Sequence, residues 1–281
     1  GVAGLANAWS NCWPMLLLGG APDAYQDGQG AFQEAPQIEA ARPFVKYAHR
    51  PENIERVPFY IEKAIRATMY GRPGAAYLDL SNDVISAEIA EESVEFKDLC
   101  PEPPRTFADP SLVEQAVATL KTAERPLVIV GKGAAYAHAE EEVRDFIERT
   151  QLPFLASPMG KGVIPDDHPL SIAPARSTAL QETDLVFLVG ARLNWIMHFG
   201  LPPRFNENVR VIQLDISPEE IGTNVPAEVG LVGDAKAVMG QINAVLEQSP
   251  WSYPQETTWW TQLQAKAEEN IQSVQAMEAD D

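Results

Sequence analysis

Three hydrophobic runs in the middle of the chain each end in glycine and a basic residue. They read PLVIVGKGAAYAHAEE (126–141), PFLASPMGKGVIPDDHP (153–169) and DLVFLVGARLNWIMHFGLPPR (184–204). A fourth run, VRVIQLDIS (209–217), ends instead in an acid, Asp215. Short β-branched runs followed by helical stretches predict buried parallel strands. An open parallel sheet binds its ligands beyond the carboxyl ends of its strands. Lys132, Lys161 and Arg192 would then gather along one rim, with Asp215 beside them. Cations suit phosphates and an acid suits ribose hydroxyls, so the rim reads as a site for an adenosine diphosphate end.

Around these runs the pattern predicts strands at 126–131, 153–157, 184–190 and 209–215, a fifth at 227–232, and helices over 138–150, 175–181 and 235–247. Asp109-Pro110-Ser111 offers an N-cap with proline at the first helical position, ahead of an apolar face of Leu112, Ala116, Val117 and Leu120. The expectation for 108–248 is an α/β, doubly wound, Rossmann-like domain. Before it, residues 1–90 read as a helix over 2–10, a strand at 14–18 and a Gly-, Gln- and Asp-rich loop over 19–30. Helices at 35–41 and 51–70 follow, the second with Val57, Ile61, Ala64, Ile65 and Thr68 on one face. Gly71-Arg72-Pro73-Gly74 then turns into a strand, AAYLDLS. Residues 91–107 carry acids and prolines without periodicity and read as a linker. Residues 249–281 read as a docked linker whose Trp251, Tyr253, Trp259 and Trp260 need a surface to bury them, followed by a polar helical stretch.

Composition narrows the partners. A length of 281 residues suits two domains, and apolar runs such as 15–18 are far too short to span a bilayer. A formal charge of −19 argues against nucleic acid or an anionic membrane surface. It does not exclude an anionic cofactor, because salt screens the bulk charge beyond about 8–10 Å. Cys12 and Cys100 show no metal-type spacing and are expected to be buried and inert. The four histidines are scattered, and no metal site is expected.

Each motif also has a plainer reading. Gly131-Lys132-Gly133 has the context for phosphate at a helix N-terminus, yet Tyr136 stands where the dinucleotide fingerprint wants a third glycine, and a tight turn fits as well. Arg192 and Asp215 strengthen the nucleotide reading in combination. Arg176, just before a helix in the stretch Ala173–Ser177, suits a second phosphate or a solvated surface charge. Arg72 is a turn residue or a ligand contact. Phe32-Gln33-Glu34 sets an aromatic face, a neutral amide and a carboxylate behind the flexible Gly30, or simply begins a helix.

Several long stretches resemble the thiamine diphosphate-dependent 2-hydroxyacyl-CoA lyase family: GAFQEAPQIEAAR, EKAIRATMYGRPGAAYLDL, GKGAAYAHAEE, PFLASPMGKGVIPDDHP, GARLNWIMHFGLPPRF and PWSYPQETTWW. Oxalyl-CoA decarboxylase is the sister family. The resemblance implies a pyrimidine-binding domain, of which 1–90 would be the later part, a complete middle domain for adenine nucleotide and CoA, and an absent diphosphate-binding domain. By the same resemblance Phe32 and Gln33 line the catalytic pocket of the neighbouring subunit. Arg72, Lys132, Arg192 and Asp215 match the nucleotide site, and Ala175 and Arg176 match the CoA contact. The implied activity is cleavage of a 2-hydroxyacyl-CoA into an aldehyde and formyl-CoA, with oxalyl-CoA decarboxylation and a non-catalytic nucleotide-binding fragment as alternatives. The neutral Gln33 favours the lyase, since the decarboxylases carry a Tyr-Glu-like pair there. The implied cofactors are thiamine diphosphate and Mg²⁺, with ADP or a related adenine nucleotide. The implied assembly is a homodimer or homotetramer, peroxisomal in a eukaryote and cytoplasmic in a bacterium.

The departures from the family concern the chemistry. Its cofactor-activating Glu would lie ahead of residue 1. Gly233-Asp234-Ala235 lacks the downstream Asn-Asn of the Mg²⁺–diphosphate motif. A piece of a longer polypeptide, inactive by itself, is therefore the expectation.

Overall fold

The computed structural model describes residues 1–279. The chain divides into two compact units, Gly1–Pro104 and Arg105–Asp281.

The first unit runs α1 (Val2–Asn11), β1 (Met15–Ala21), α2 (Gln37–Ala41), β2 (Tyr47–His49), α3 (Val57–Met69), β3 (Ala75–Ser81) and α4 (Asn82–Ile85). Its sheet is parallel in the order β1-β3-β2, with Met15 beside Ala75 and Tyr47 beside Ala76. The two-residue period of β3 divides its side chains between two cores. Ala75 and Tyr77 pack with Leu5, Ala8 and Ala41, while Ala76 and Leu78 pack with Tyr60 and Ala64.

Several expectations are corrected in this unit. β1 runs through Gly19 and Gly20, which read as loop residues in the sequence. A side chain at Gly19 would stand 2.2 Å from the Tyr77 hydroxyl, so this glycine makes room for a neighbouring strand and does not end its own. β2 is too short to carry a periodic signal. On α3 the buried positions are Tyr60, Ala64 and Thr68, while Val57, Ile61 and Ile65 are only half-buried. Cys12 is buried, but Cys100 is not.

The second unit runs α5 (Pro110–Leu120), β4 (Pro126–Val130), α6 (Lys132–Tyr136), α7 (Glu140–Thr150), β5 (Phe154–Ala156), α8 (Arg176–Glu182), β6 (Leu185–Val189), β7 (Arg210–Asp215), β8 (Val229–Val232), α9 (Ala235–Gln248) and α10 (Thr258–Ala279). All five strands are parallel, in the order β5-β4-β6-β7-β8. The chain starts at β4, steps to one side, then returns past β4 and continues the other way. Winding therefore reverses between β4 and β6, the crevice where doubly wound sheets hold their ligands. Every residue of β4 and β6 is buried, as central strands covered on both faces require.

The Asp109 carboxylate caps α5 by accepting from the Ser111 N–H at 2.8 Å. The face of α5 is shifted from the expected one. Val113 is buried and Leu112 is exposed, because the helix seats between α9 and β8. The C-terminal aromatics find their surface. Trp259 and Trp260 are buried in the first turn of α10, and the Trp259 Nε1–H donates to the Pro126 carbonyl at 3.0 Å. The Tyr253 hydroxyl donates to the Glu124 carbonyl at 2.5 Å.

Candidate functional site

The reversal point of the second unit is built from glycines. The Gly131 N–H donates to the Val189 carbonyl at 2.9 Å and the Gly133 N–H to the Gly190 carbonyl at 3.0 Å. A Cβ on Gly131 would fall 2.2 Å from the Gly190 oxygen, and Gly190 itself has φ +58°. Close approach of the β4 and β6 loops accounts for the glycines of Gly131-Lys132-Gly133 without any ligand. What remains for a ligand is the side chains above that floor.

Lys132 opens α6, Arg192 follows Gly190 after β6, and Asp215 closes β7. The three stand beyond the carboxyl ends of adjacent strands, β4, β6 and β7. Lys132 and Arg192 flank the reversal point and are half-buried. Asp215 is 7% exposed and accepts from the Ser217 N–H at 2.9 Å, so its carboxylate is fixed in orientation. Lys161, beyond β5, is exposed and loosely paired with Asp166 at 3.8 Å. One expectation changes. α6 has five residues and α8 seven, too short to lend much of a helix dipole to a phosphate, so the side chains must carry that binding.

Arg176 opens α8, and its guanidinium donates to the Ile196 carbonyl at 2.7 Å. Burial, then the neighbouring Arg204, pulls its pKa below the ordinary arginine value. Ala175 is 1% exposed and presents almost no surface of its own to a ligand. The carbonyl that Arg176 holds belongs to the segment Trp195–Gly200, where His198 (φ 49°) and Phe199 (φ 58°) both lie in the left-handed region. Non-glycine residues held this way mark segments fixed by their surroundings and cluster at binding sites. Trp195, Phe199 and Leu201 present apolar surface there. Their composition gives no signal of this, since exposure here follows from the backbone path and not from a period.

In the first unit, Phe32 and Gln33 stand at the tip of the loop after β1. Phe32 is 87% exposed, and Gln33 has φ +65°. The base of the loop is tied to the sheet through the fully buried Asp79. Arg50 bridges the Asp79 and Asp27 carboxylates, with Nη2 at 2.6 Å and Nη1 at 2.8 Å respectively. The Tyr77 hydroxyl donates to Asp79 at 2.9 Å, and Gln37 Nε2 donates to Asp79 at 3.3 Å and to the Gly20 carbonyl at 2.8 Å. Burial, then this bond to Asp79, pushes the Tyr77 phenol well above its ordinary pKa. Arg72 lies in the turn before β3, at the opposite end of the same sheet from Phe32 and Gln33. Lys46 Nζ donates to the carbonyls of Tyr70 and Arg72 at 2.6 and 2.8 Å and so shapes that turn. Gly233-Asp234-Ala235 has a structural duty, because Asp234 caps α9 by accepting from the Ala237 N–H at 3.0 Å.

A comparison of the second unit with known domain families decides its kind. Residues 113–242 match the thiamine pyrophosphate enzyme, central domain. Residues 113–242 are thus similar to the central domain of thiamine pyrophosphate enzymes. Lys132, Arg192, Asp215 and the glycine-floored crevice all lie inside the matched residues, whereas Phe32, Gln33 and Arg72 lie ahead of them. Over nearly its whole length the chain is similar to longer proteins. It is 48% identical over 269 residues to 2-hydroxyacyl-CoA lyase 1 of Homo sapiens, covering 96% of this chain and 46% of the human protein. It is 40% identical over 286 residues to 2-hydroxyacyl-CoA lyase of Arabidopsis thaliana, covering 100% of this chain and 50% of the plant protein. It is also 40% identical over 278 residues to oxalyl-CoA decarboxylase of Escherichia coli K12, covering 98% of this chain and 49% of that protein. The chain spans about half the length of the curated relatives it matches.

Proposed function

We propose that this chain is part of a thiamine diphosphate-dependent lyase that cleaves a 2-hydroxyacyl-CoA into an aldehyde and formyl-CoA. The observation that carries the reading is the loop tip, which displays an aromatic ring and a neutral amide in a chain 48% identical to a 2-hydroxyacyl-CoA lyase. Thiamine diphosphate, when bound, supplies the nucleophilic carbon and takes up the electron pair of the broken carbon–carbon bond.

The chain's own residues have simpler tasks. Phe32 offers apolar surface to an uncharged acyl chain. Gln33 can donate to one oxygen and accept from a hydroxyl without adding charge. Glu34, the acid beside them, does not serve as proton donor, because its carboxylate accepts three backbone N–H groups and is held ionised. In the central domain, Lys132, Arg192 and Asp215 bind the adenosine diphosphate end of CoA or a separate adenine nucleotide. Arg176 steadies the CoA chain, while Arg72 and Ala175 belong to this reading by family resemblance alone. Mg²⁺, a homo-oligomeric assembly and a peroxisomal site in a eukaryote belong to the same reading, supported by the family alone.

Oxalyl-CoA decarboxylation is the competing reading, favoured by 40% identity to the bacterial enzyme. Assay of the full-length protein with both thioesters separates the two. Aldehyde and formyl-CoA from a 2-hydroxyacyl-CoA are expected, and CO₂ from oxalyl-CoA without aldehyde formation from the other thioester would overturn the lyase.

A further inference from the structure

The tip that carries Phe32 and Gln33 is closed by the residue that follows them. Glu34 folds its carboxylate back into the loop. Oε1 accepts from the Gly28 N–H at 2.7 Å, and Oε2 accepts from the Gly30 and Ala31 N–H groups, both at 2.9 Å. The Glu34 N–H returns a bond to the Ala31 carbonyl at 3.1 Å. One carboxylate thus satisfies three main-chain donors that a seven-residue solvent-facing loop would otherwise leave to water, through the charge-assisted kind of hydrogen bond. The closure uses backbone that only some residues tolerate. Gly28 and Gly30 have φ +84° and +76°, and Gln33 carries a positive φ without being glycine. A glutamine forced into that region stays there only where its neighbours over-determine it. Here the neighbour is Glu34, joined to Gln33 by one peptide bond and locked at its far end to the start of the loop.

We propose that Glu34 is the positioning residue of this site, fixing the tip so that Phe32 and Gln33 face the reactants in one arrangement. The proposal rests on the assignment of Phe32 and Gln33 to the reacting site. Glu34 does not touch substrate or move a proton. Its carboxylate points into the loop, and its three donors leave it ionised. Division of labour follows: Asp79, through Arg50 and Gln37, holds the two ends of the loop to the sheet, and Glu34 holds the tip.

The test uses the full-length enzyme and the variants Glu34→Gln, Glu34→Asp and Gln33→Ala. Glu34→Gln keeps the length but turns an NH₂ group toward backbone donors. With those charge-assisted bonds lost, kcat should fall by about tenfold while KM for the acyl-CoA stays within about twofold. The melting temperature should stay within about 2 °C, since an exposed loop carries little of the fold. Amide hydrogen exchange at Gly28, Gly30 and Ala31 should accelerate by about tenfold in the same variant. Glu34→Asp, with the charge but a shorter reach, should recover part of both effects. Unchanged exchange in Glu34→Gln overturns the proposal. So does unchanged kcat in Glu34→Gln when Gln33→Ala loses activity. If Gln33→Ala retains full kcat, the loop is not the reacting site and the positioning role fails with it, a result that variant alone identifies.

Discussion

A single methyl group is enough to test the floor of the central-domain crevice. Gly131→Ala would set a Cβ 2.2 Å from the Gly190 oxygen, and both sides of that contact are backbone that cannot swing away. A loss of about 2 kcal/mol or more is expected in chemical denaturation. Gly240→Ala is the control. Gly240 lies within α9, and nothing stands within 4 Å of its Cβ position, so that variant should gain about 0.5–1 kcal/mol. Lys132 sits one residue beyond Gly131 and tests the rim instead of the floor. Lys132→Ala should weaken ADP binding by about 1.5–3 kcal/mol, some 10- to 150-fold, read as a smaller thermal shift. Equal shifts in both proteins would remove Lys132 from the site. At this scale the sequence was partly legible. The rim cations and Asp215 could be placed by counting from strand ends. The true reason for the glycines could not, because it lies in a contact with Gly190, far along the chain.

Elements were legible wherever burial wrote a pattern into them. β4, β6 and β7 announce themselves as β-branched runs. β2 is three residues long, and the last part of β1 is spelled with glycines, so neither has a side-chain pattern to read. The loop between β1 and α2 was legible in composition but not in shape, since the sequence cannot show a carboxylate folding back on its own backbone. That shape carries a pH dependence. Hydrogen bonds from Ala31 first, then Gly28 and Gly30, hold the Glu34 carboxyl below the usual carboxylate range. A depressed pKa stabilises the loop at pH values above the unfolded pKa, and the effect is lost as pH falls through the folded value. Exchange protection at these amides, corrected for intrinsic rates, should therefore persist through neutral pH and vanish only in acid below the ordinary carboxylate range. A loss centred near pH 7 would refute the assignment. The C-terminal helix supplies a second test. Trp259 is 1% exposed and bonded to Pro126, so Trp259→Ala should cost about 3–5 kcal/mol of central-domain stability in denaturant titrations.

Each of the two units holds its own buried core, and between them runs a stretch with little regular structure. Phe96 and Leu99 are 71% and 96% exposed there, and the Tyr70 hydroxyl donates to the Pro101 carbonyl, 3.0 Å away. Brief proteolysis should cut near Phe96–Leu99 and leave a resistant piece beginning near residue 105. Cuts scattered through β4 to β8 at the same protease dose would refute an independently stable central unit. That two units exist could be read from length and from the acidic, proline-rich stretch. That the second is not finished at α9 could not, because α10 looks polar along most of its length and announces only its first turn. The bond from Trp259 to Pro126 joins residues 133 positions apart, and it sets a schedule for synthesis. At roughly 5–20 residues per second, the ribosome needs about 7–27 s to travel from the strand that opens the central sheet to the tryptophan that covers it. For that interval the start of β4 waits without its lid, and the nascent chain depends on whatever shields it until α10 arrives.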